Sequence, residues 1–199
     1  MKMRILWTGL VLISLGLPNF SNLKAEELKM VQLTNQLRVQ LGLVPLQQDD
    51  RLQDAAKKHS QQLNQIGKLT HQGMDADGMT PMQRMMRAGV TEAVLYGENI
   101  ACGDESAKGT FSLWVHSAGH LANLLNPDFN RIGISRLGHA SDRRGCPYYW
   151  TMNLAAVNPA ESTATSLDPA VLIQSLKEIL GFRLDETKIV VPNYLQLPL

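Results

Sequence analysis

Met30, Leu33, Leu37 and Leu41 recur at steps of three and four, which predicts one apolar face of a helix ending near Gly42. Pro45 then imposes an extended step. Asp49 or Asp50 can cap a second helix whose apolar face is Leu52, Ala55, Ala56, Leu63 and Ile66. His59 falls on that face and reads as a core or half-buried histidine bonded to a backbone carbonyl. Thr80-Pro81 opens a short helix through Arg87, closed by Ala88-Gly89. Arg84 and Arg87 turn part of it to water. Ala93 to Ala101 is apolar at most positions and reads as a strand, with Gly97 and Glu98 at a point of close backbone approach. Ser106 to Leu125 reads as helical, interrupted near Gly119, and Asn126-Pro127-Asp128 as a turn. Ile132, Ile134 and Leu137 start one strand, Tyr148 to Val157 form another, and the polar stretch from Arg136 to Cys146 joins them as a hairpin loop.

Pro159 to Ser166 is a small polar linker. Asp168-Pro169 caps a last helix with Leu172, Leu176, Ile179 and Leu180 on one face and Gly181 as its stop. Lys188 to Val191 reads as an edge strand, and the apolar tail from Tyr194 to Leu199 as packed on the domain. Helices on both sides of a sheet bury these faces, which is an α+β arrangement.

The first residues carry Lys2 and Arg4 and then an uncharged, mostly apolar run from Ile5 to Leu17. That run is short for a membrane span and suits an export signal, with a cut expected after Ala25. Residues 1–25 therefore read as a signal peptide. Of 19 Lys and Arg, three precede the cut, and all 18 Asp and Glu follow it, so the mature chain carries −2 with His neutral. That balance argues against nucleic acid as a partner. The two cysteines, Cys102 and Cys146, are expected to pair in a disulfide once exported.

Candidate chemistry lies between His71 and His120. His71, Glu98 and His120 could converge in one cleft and hold zinc or another divalent cation, with water as a further ligand. Water on such a metal becomes a nucleophile near neutral pH, but Glu98 cannot easily serve as both ligand and base. Asp104 and Glu105 read as exposed loop residues. His116 and His120 stand four apart, as in H-E-x-x-H proteins, but without the Glu. His116 reads as a solvated surface residue. Ser117 could pair with His120 as a nucleophile, yet no G-x-S-x-G elbow exists, and a helix-capping role is expected instead. Met74, Met79, Met82, Met85 and Met86 read as an adaptable packing surface rather than a copper site. Trp114 reads as core.

In their order and spacing these segments resemble the CAP superfamily, or SCP domain, which includes cysteine-rich secretory proteins, antigen 5, plant pathogenesis-related proteins and exported bacterial proteins. The resemblance rests on Asn35-Gln36-Leu37-Arg38, matching the N-x-x-R of bacterial members, then Gly42, Pro45-Leu46, Leu52, Ala55, Ala56 and His59. It continues through His71, the helix from Pro81 to Gly89, Gly97-Glu98-Asn99-Ile100-Ala101 and Trp114-x-x-Ser117-x-Gly119-His120, and ends with Asn123, Gly133 and Tyr149-Trp150. It implies a three-layer α-β-α sandwich with a central antiparallel sheet over residues 26–157, and leaves residues 158–199 as a linker and C-terminal helical extension. It also implies a ligand cleft at His71, Glu98, Asn99, Ser117 and His120. The family's second Glu is matched by Ser117, which removes one strong ligand.

The expectation is an exported, monomeric, non-catalytic module that binds an unknown ligand or protein partner in the cell envelope or outside the cell. The alternatives are a metal-assisted hydrolase of peptide or cell-envelope substrates using His71, Glu98 and His120, and a lipid carrier.

Overall fold

A computed structural model describes residues 20–73, 78–138, 146–159 and 167–192, with the side chains of residues 20–24 left aside. Its elements are α1 (Phe20–Gln40), β1 (Gln47–Gln48), α2 (Asp50–Ile66), α3 (Pro81–Arg87), β2 (Ala93–Gly103), α4 (Ala107–Val115), α5 (Ala118–Leu125), β3 (Arg131–Gly138), β4 (Tyr148–Val157) and α6 (Pro169–Leu180). Two 3-10 turns follow, Gly181–Arg183 and Glu186–Lys188. Residues 1–19 of the expected export signal, residues 74–77 with Met74, residues 139–145 of the expected hairpin loop and the tail from Tyr194 lie outside the described residues, as does most of the linker. The helix α1 runs across Ala25. Among the described residues no helix is long and apolar enough to cross a membrane.

The strand order is β1-β3-β4-β2. Strands β2 and β3 both pair antiparallel with β4, whereas β1 pairs parallel with β3 through Gln47–Arg131 and Gln48–Ile132. The sheet is thus mixed, not antiparallel throughout. Two glutamines are too short a run to announce a strand by alternation, and their place follows from the Pro45 step and the α2 cap on either side.

The layers can be read from β4, whose side chains alternate between two buried faces. Trp150, Met152, Leu154 and Ala156 join the large core with Met30, Leu37, Phe111, Trp114, Leu121 and Leu176. Tyr149, Ala155 and Val157 turn the other way, toward Leu52, Leu63 and Met85. Helices α1, α4, α5 and α6 therefore cover one face, and α2 and α3 the other, giving the α+β sandwich. Gly133 lets α2 lie directly on β3, since a Cβ there would stand 2.2 Å from Gln53 N.

Local chemistry sets the boundaries. Asp49 caps α2 by accepting from Arg51 N and Leu52 N, and Gly67 ends it at φ 66°. Thr80 and Gln83 form a capping box on α3, with Pro81 in its first turn. Asp168 caps α6. The break between α4 and α5 falls at His116-Ser117 rather than near Gly119. His116 closes α4 by donating to Ser112 O from its backbone N–H at 3.3 Å and from ring Nδ1 at 2.6 Å. Ser117 then restarts the chain from an extended conformation. Residues 188–191 form no strand, because the Asp185 carboxylate accepts from Thr187 N and Oγ1 and winds the chain into a turn.

The N-x-x-R motif fastens α1 to the fold. Asn35 donates to Leu46 O and accepts from Leu46 N. Arg38 is fully buried and donates to Val44 O, Leu124 O, Asn126 O and Phe129 O at 2.8 to 3.0 Å. Two of those carbonyls belong to the last turn and cap of α5, where a cation also suits the helix dipole. Cys102 and Cys146 are bonded, tying β2 to the start of β4 across 44 positions. Closing a loop of that length contributes about 4 kcal/mol in the chain-entropy account.

Candidate functional site

Glu98 points from β2 into the α2–α3 layer and is buried. A carboxylate taken out of water needs a cation or several donors. Arg84, on α3, supplies the cation. Its Nη2 donates to Glu98 Oε2 at 2.5 Å, and its Nη1 donates to His71 O at 2.8 Å and Met79 O at 2.9 Å. Arg84 is only 6% exposed. The sequence placed it toward water beside Arg87, and only Arg87 lies there. The signal for Arg84 was indirect: a buried Glu98 requires a partner, but nothing in the spacing says which cation provides it.

The other carboxylate oxygen faces histidines. His71 Nδ1 donates to Glu98 Oε1 at 2.8 Å, which leaves His71 Nε2 on a half-exposed ring. His59 lies on α2 with Nε2 at 2.9 Å from Thr70 O, to which it donates, and at 3.9 Å from Glu98 Oε1. It is fully buried, the core histidine bonded to a carbonyl that its place on the apolar face of α2 predicts. Burial pushes its pKa below the usual imidazole range, the Glu98 charge opposes that shift, and the Arg84 charge adds to it.

His120 comes from the opposite layer, on α5. Its ring tilts against Trp114, a fully buried core residue, with centroids 6.4 Å apart. Burial lowers its pKa, and the charge of His71 lowers it further. Its Nδ1 is shielded from solvent and has no hydrogen-bond partner among the described residues. Asn99 donates from Nδ2 to His120 O at 3.0 Å and accepts from Asn123 Nδ2 at 2.8 Å, so α5 is tied to β2 beside Glu98. Asn123 also donates to Glu98 O. Gly97 permits this approach, since a Cβ there would meet Phe129 Cζ at 2.6 Å.

Ser117 occupies the N-cap position of α5, but its side chain makes no capping bond. His116 is not a solvated residue. It is half-buried, and Nε2 accepts from Asp185 N at 2.8 Å while Nδ1 donates to Ser112 O. Met79 and Met85 are buried, whereas Met82 and Met86 are exposed, so the methionines are split between packing and surface. Asp104 and Glu105 are exposed or nearly so, as their loop position predicts.

The arrangement therefore brings His71, Glu98, His59 and Arg84 into one network, with His120 and Asn99 beside it on the α5 side. Among the described residues no group of three or more His, Cys, Asp and Glu stands as a metal cage. Glu98 is committed to Arg84 and His71. That leaves two imidazoles, fewer than the three or four protein ligands of ordinary zinc sites. The three-donor set of His71, Glu98 and His120 does not fit a metal as it stands.

Comparison with known proteins agrees with the architecture. The chain is 36% identical over 114 residues to the uncharacterized protein YkwD of Bacillus subtilis (strain 168), covering 57% of this chain and 43% of that protein. It is 33% identical over 102 residues to a Borreliella burgdorferi protein, covering 51% of this chain and 63% of the other. The matches thus span less than two thirds of these relatives. Among solved structures it is similar to an outer surface protein from Borrelia burgdorferi, with TM-score 0.59 and 25% identity, over 67% of this chain and 94% of that one. It is also similar to an extracellular protein containing an SCP domain from Bacillus anthracis str. Ames, with TM-score 0.57 and 26% identity, over 67% of this chain and 41% of that one. Residues 31–154 match the model of the cysteine-rich secretory protein family, and on that match, with the sandwich fold around it, the chain belongs to the CAP superfamily.

Proposed function

We propose that this protein is a non-catalytic binding module that works outside the cytoplasm, with a cleft that receives its ligand at His71 and His120. The observation that carries this reading is the state of Glu98. One oxygen takes Arg84 and the other takes His71. A carboxylate held by two donors is poorly placed to abstract a proton or to join a metal's inner shell. Ser117 lacks a nucleophile elbow, and among the described residues its neighbour His120 has no orienting acid, which weakens a serine hydrolase in the same way. The names of the relatives, one extracellular and one on an outer surface, support the location.

Glu98 fixes the His71 ring so that Nε2 meets an incoming group, in the manner of a carboxylate behind a ligand histidine. A divalent cation at the cleft would rest on His71 Nε2 and His120, and two imidazoles hold it weakly. Calorimetry with zinc on the native protein, His71→Ala and His120→Ala, combined with peptide and ester hydrolysis assays with and without chelator, tests the reading. The expected result is weak zinc binding that either substitution removes, with hydrolysis no greater than in the two variants. Chelator-sensitive hydrolysis that disappears in both variants overturns it in favour of an enzyme.

A further inference from the structure

The residues after α6 reach back to the junction between α4 and α5. Asp185 N donates to His116 Nε2 at 2.8 Å, and Ser112 Oγ donates to Arg183 O at 3.1 Å. Arg183 also pairs with Asp104, at 3.8 Å. The segment that makes these bonds is itself held in place. Leu172, Leu176, Ile179 and Leu180 of α6 belong to the large core, and Leu184 packs against it. The Asp185 carboxylate caps the turn over Glu186–Lys188. Residues 181–188 lie beyond 31–154, the stretch that matches the family, so this contact is not one the match covers.

The junction matters because α5 is held unevenly. Its last turn and cap receive Arg38, at Leu124 O and Asn126 O, and Asn123 ties its middle to Glu98 O and Asn99. The first turn carries His120, and there the bonds are few. Ser117 makes no side-chain capping bond, although a helix start leaves several N–H groups to satisfy. Ala118 and Gly119 are exposed, and no atom lies within 4 Å of the place a Gly119 Cβ would take. Glycine also lets this turn deform more readily than another residue would. On the β2 side, Asn99 donates to His120 O. On the other side the chain is fixed just before Ser117, where the His116 ring accepts from Asp185 N and donates to Ser112 O.

We infer that the segment from Gly181 to Lys188 is a clasp that sets the first turn of α5, and with it the His120 ring, through the Asp185–His116 bond. His116 is a positioning residue for the cleft, not part of its lining. The inference rests on the proposed cleft at His71 and His120, and adds a means of regulating it. By linkage, whatever loosens the clasp weakens a ligand bound at His120, and that ligand tightens the clasp by the same factor. The element that both ends bias is a single short turn of helix, joined to each by bonds already named.

The test compares the full native chain with His116→Ala and His116→Gln, using zinc as the probe of the cleft. Hydrogen exchange is read at the Leu121 amide, which bonds to Ser117 O. The His120 ring resonances are read as well, since the Trp114 indole beside them makes them sensitive to ring position. Calorimetry gives the zinc affinity. In His116→Ala the Leu121 amide should exchange severalfold faster and the His120 ring signals should move, while amides of β4 and of the last turn of α5 stay as protected as in the native protein. Zinc should bind about fivefold more weakly, the low end of ordinary coupling between sites. His116→Gln keeps an acceptor for Asp185 N and should recover part of each change, which a general loss of packing would not allow. Exchange and ring signals that move in a protein binding no zinc would strike the cleft and leave the clasp standing. Native zinc affinity retained in His116→Ala, with both signals moved, would overturn the link to the cleft. A Leu121 amide and His120 ring unmoved in His116→Ala, or a glutamine variant no better than alanine, would overturn the clasp itself.

Discussion

Arg38 and Arg84 are both buried, and both gather distant segments by donating to backbone carbonyls. They differ in what else they hold. Arg38 fixes α1 to the end of α5 and to the stretch after it, and the four carbonyls that receive it cannot titrate. Arg84 fixes His71 and Met79 to β2, and one of its acceptors is Glu98, which also faces His71 and His59. One arginine fastens the scaffold, while the other fastens a set of groups that can change charge. A site can thus be as well buried as a core and still respond to protons or ligands, if its hub is paired with ionisable partners.

The contrast can be broken most directly at Arg38. Arg38→Met leaves four carbonyls without their donor: the buried bonds to Leu124 O and Phe129 O are each a loss of about 1–3 kcal/mol if unrelieved, and the part-buried ones to Val44 O and Asn126 O about 1 kcal/mol each. Urea unfolding should show a loss of at least about 4 kcal/mol, with no single second substitution restoring it. A loss near zero would deny Arg38 its scaffold role. Arg84→Met strands the Glu98 charge and should cost about 3 kcal/mol. Here a second change should help: Arg84→Met with Glu98→Met should recover most of the loss, because no buried charge remains. A double-mutant cycle reads the coupling, and additive losses would mean the pair is not a unit.

Acid sharpens the same distinction. Burial holds the pKa of His59 below its ordinary value near 6.5, and that of His120 likewise. As pH falls through the ordinary value, the unfolded chain takes up protons that the folded chain refuses. Stability is therefore full above that range and declines as pH drops toward the folded values, by at most about 1.4 kcal/mol per pH unit for each histidine. His59→Gln keeps a donor for Thr70 O but does not titrate, so its stability should fall less steeply with acid than the native protein's. Equal slopes would show that His59 does not set the acid limb.

The scaffold was legible because its signals are local. Asp49, Thr80-Pro81 and Asp168-Pro169 announce helix starts by cap chemistry, and the run from Tyr148 to Val157 is a strand by composition alone. Where a long-range bond decides, the sequence is mute. Nothing near Arg84 reveals Glu98 on another element, and nothing near His116 reveals Asp185, 69 positions away. Gly119 looked like the helix break because glycine is a poor helix former. The break belongs instead to His116, whose ring takes a carbonyl at the end of α4.

His116 also gives the smallest expected effect. Asp185 N–H can only donate, so the Nε2 that receives it must be unprotonated, and the proton must sit on Nδ1 toward Ser112 O. Removing the ring removes that acceptor. The Asp185 carboxyl, held down to about 2 chiefly by its bond from Thr187 and then by Lys188, does not replace the bond. The segment after α6 is also tied by Ser112 Oγ donating to Arg183 O, with Arg183 and Asp104 as a looser pair at 3.8 Å. Losing one neutral hydrogen bond is worth about 1 kcal/mol. In His116→Ala the Asp185 amide should therefore exchange severalfold faster than in the native protein, while core amides of β4 stay protected. In His116→Gln, whose side-chain oxygen can still accept, the gain should be smaller. Equal exchange in all three proteins would return His116 to a purely steric role at the end of α4.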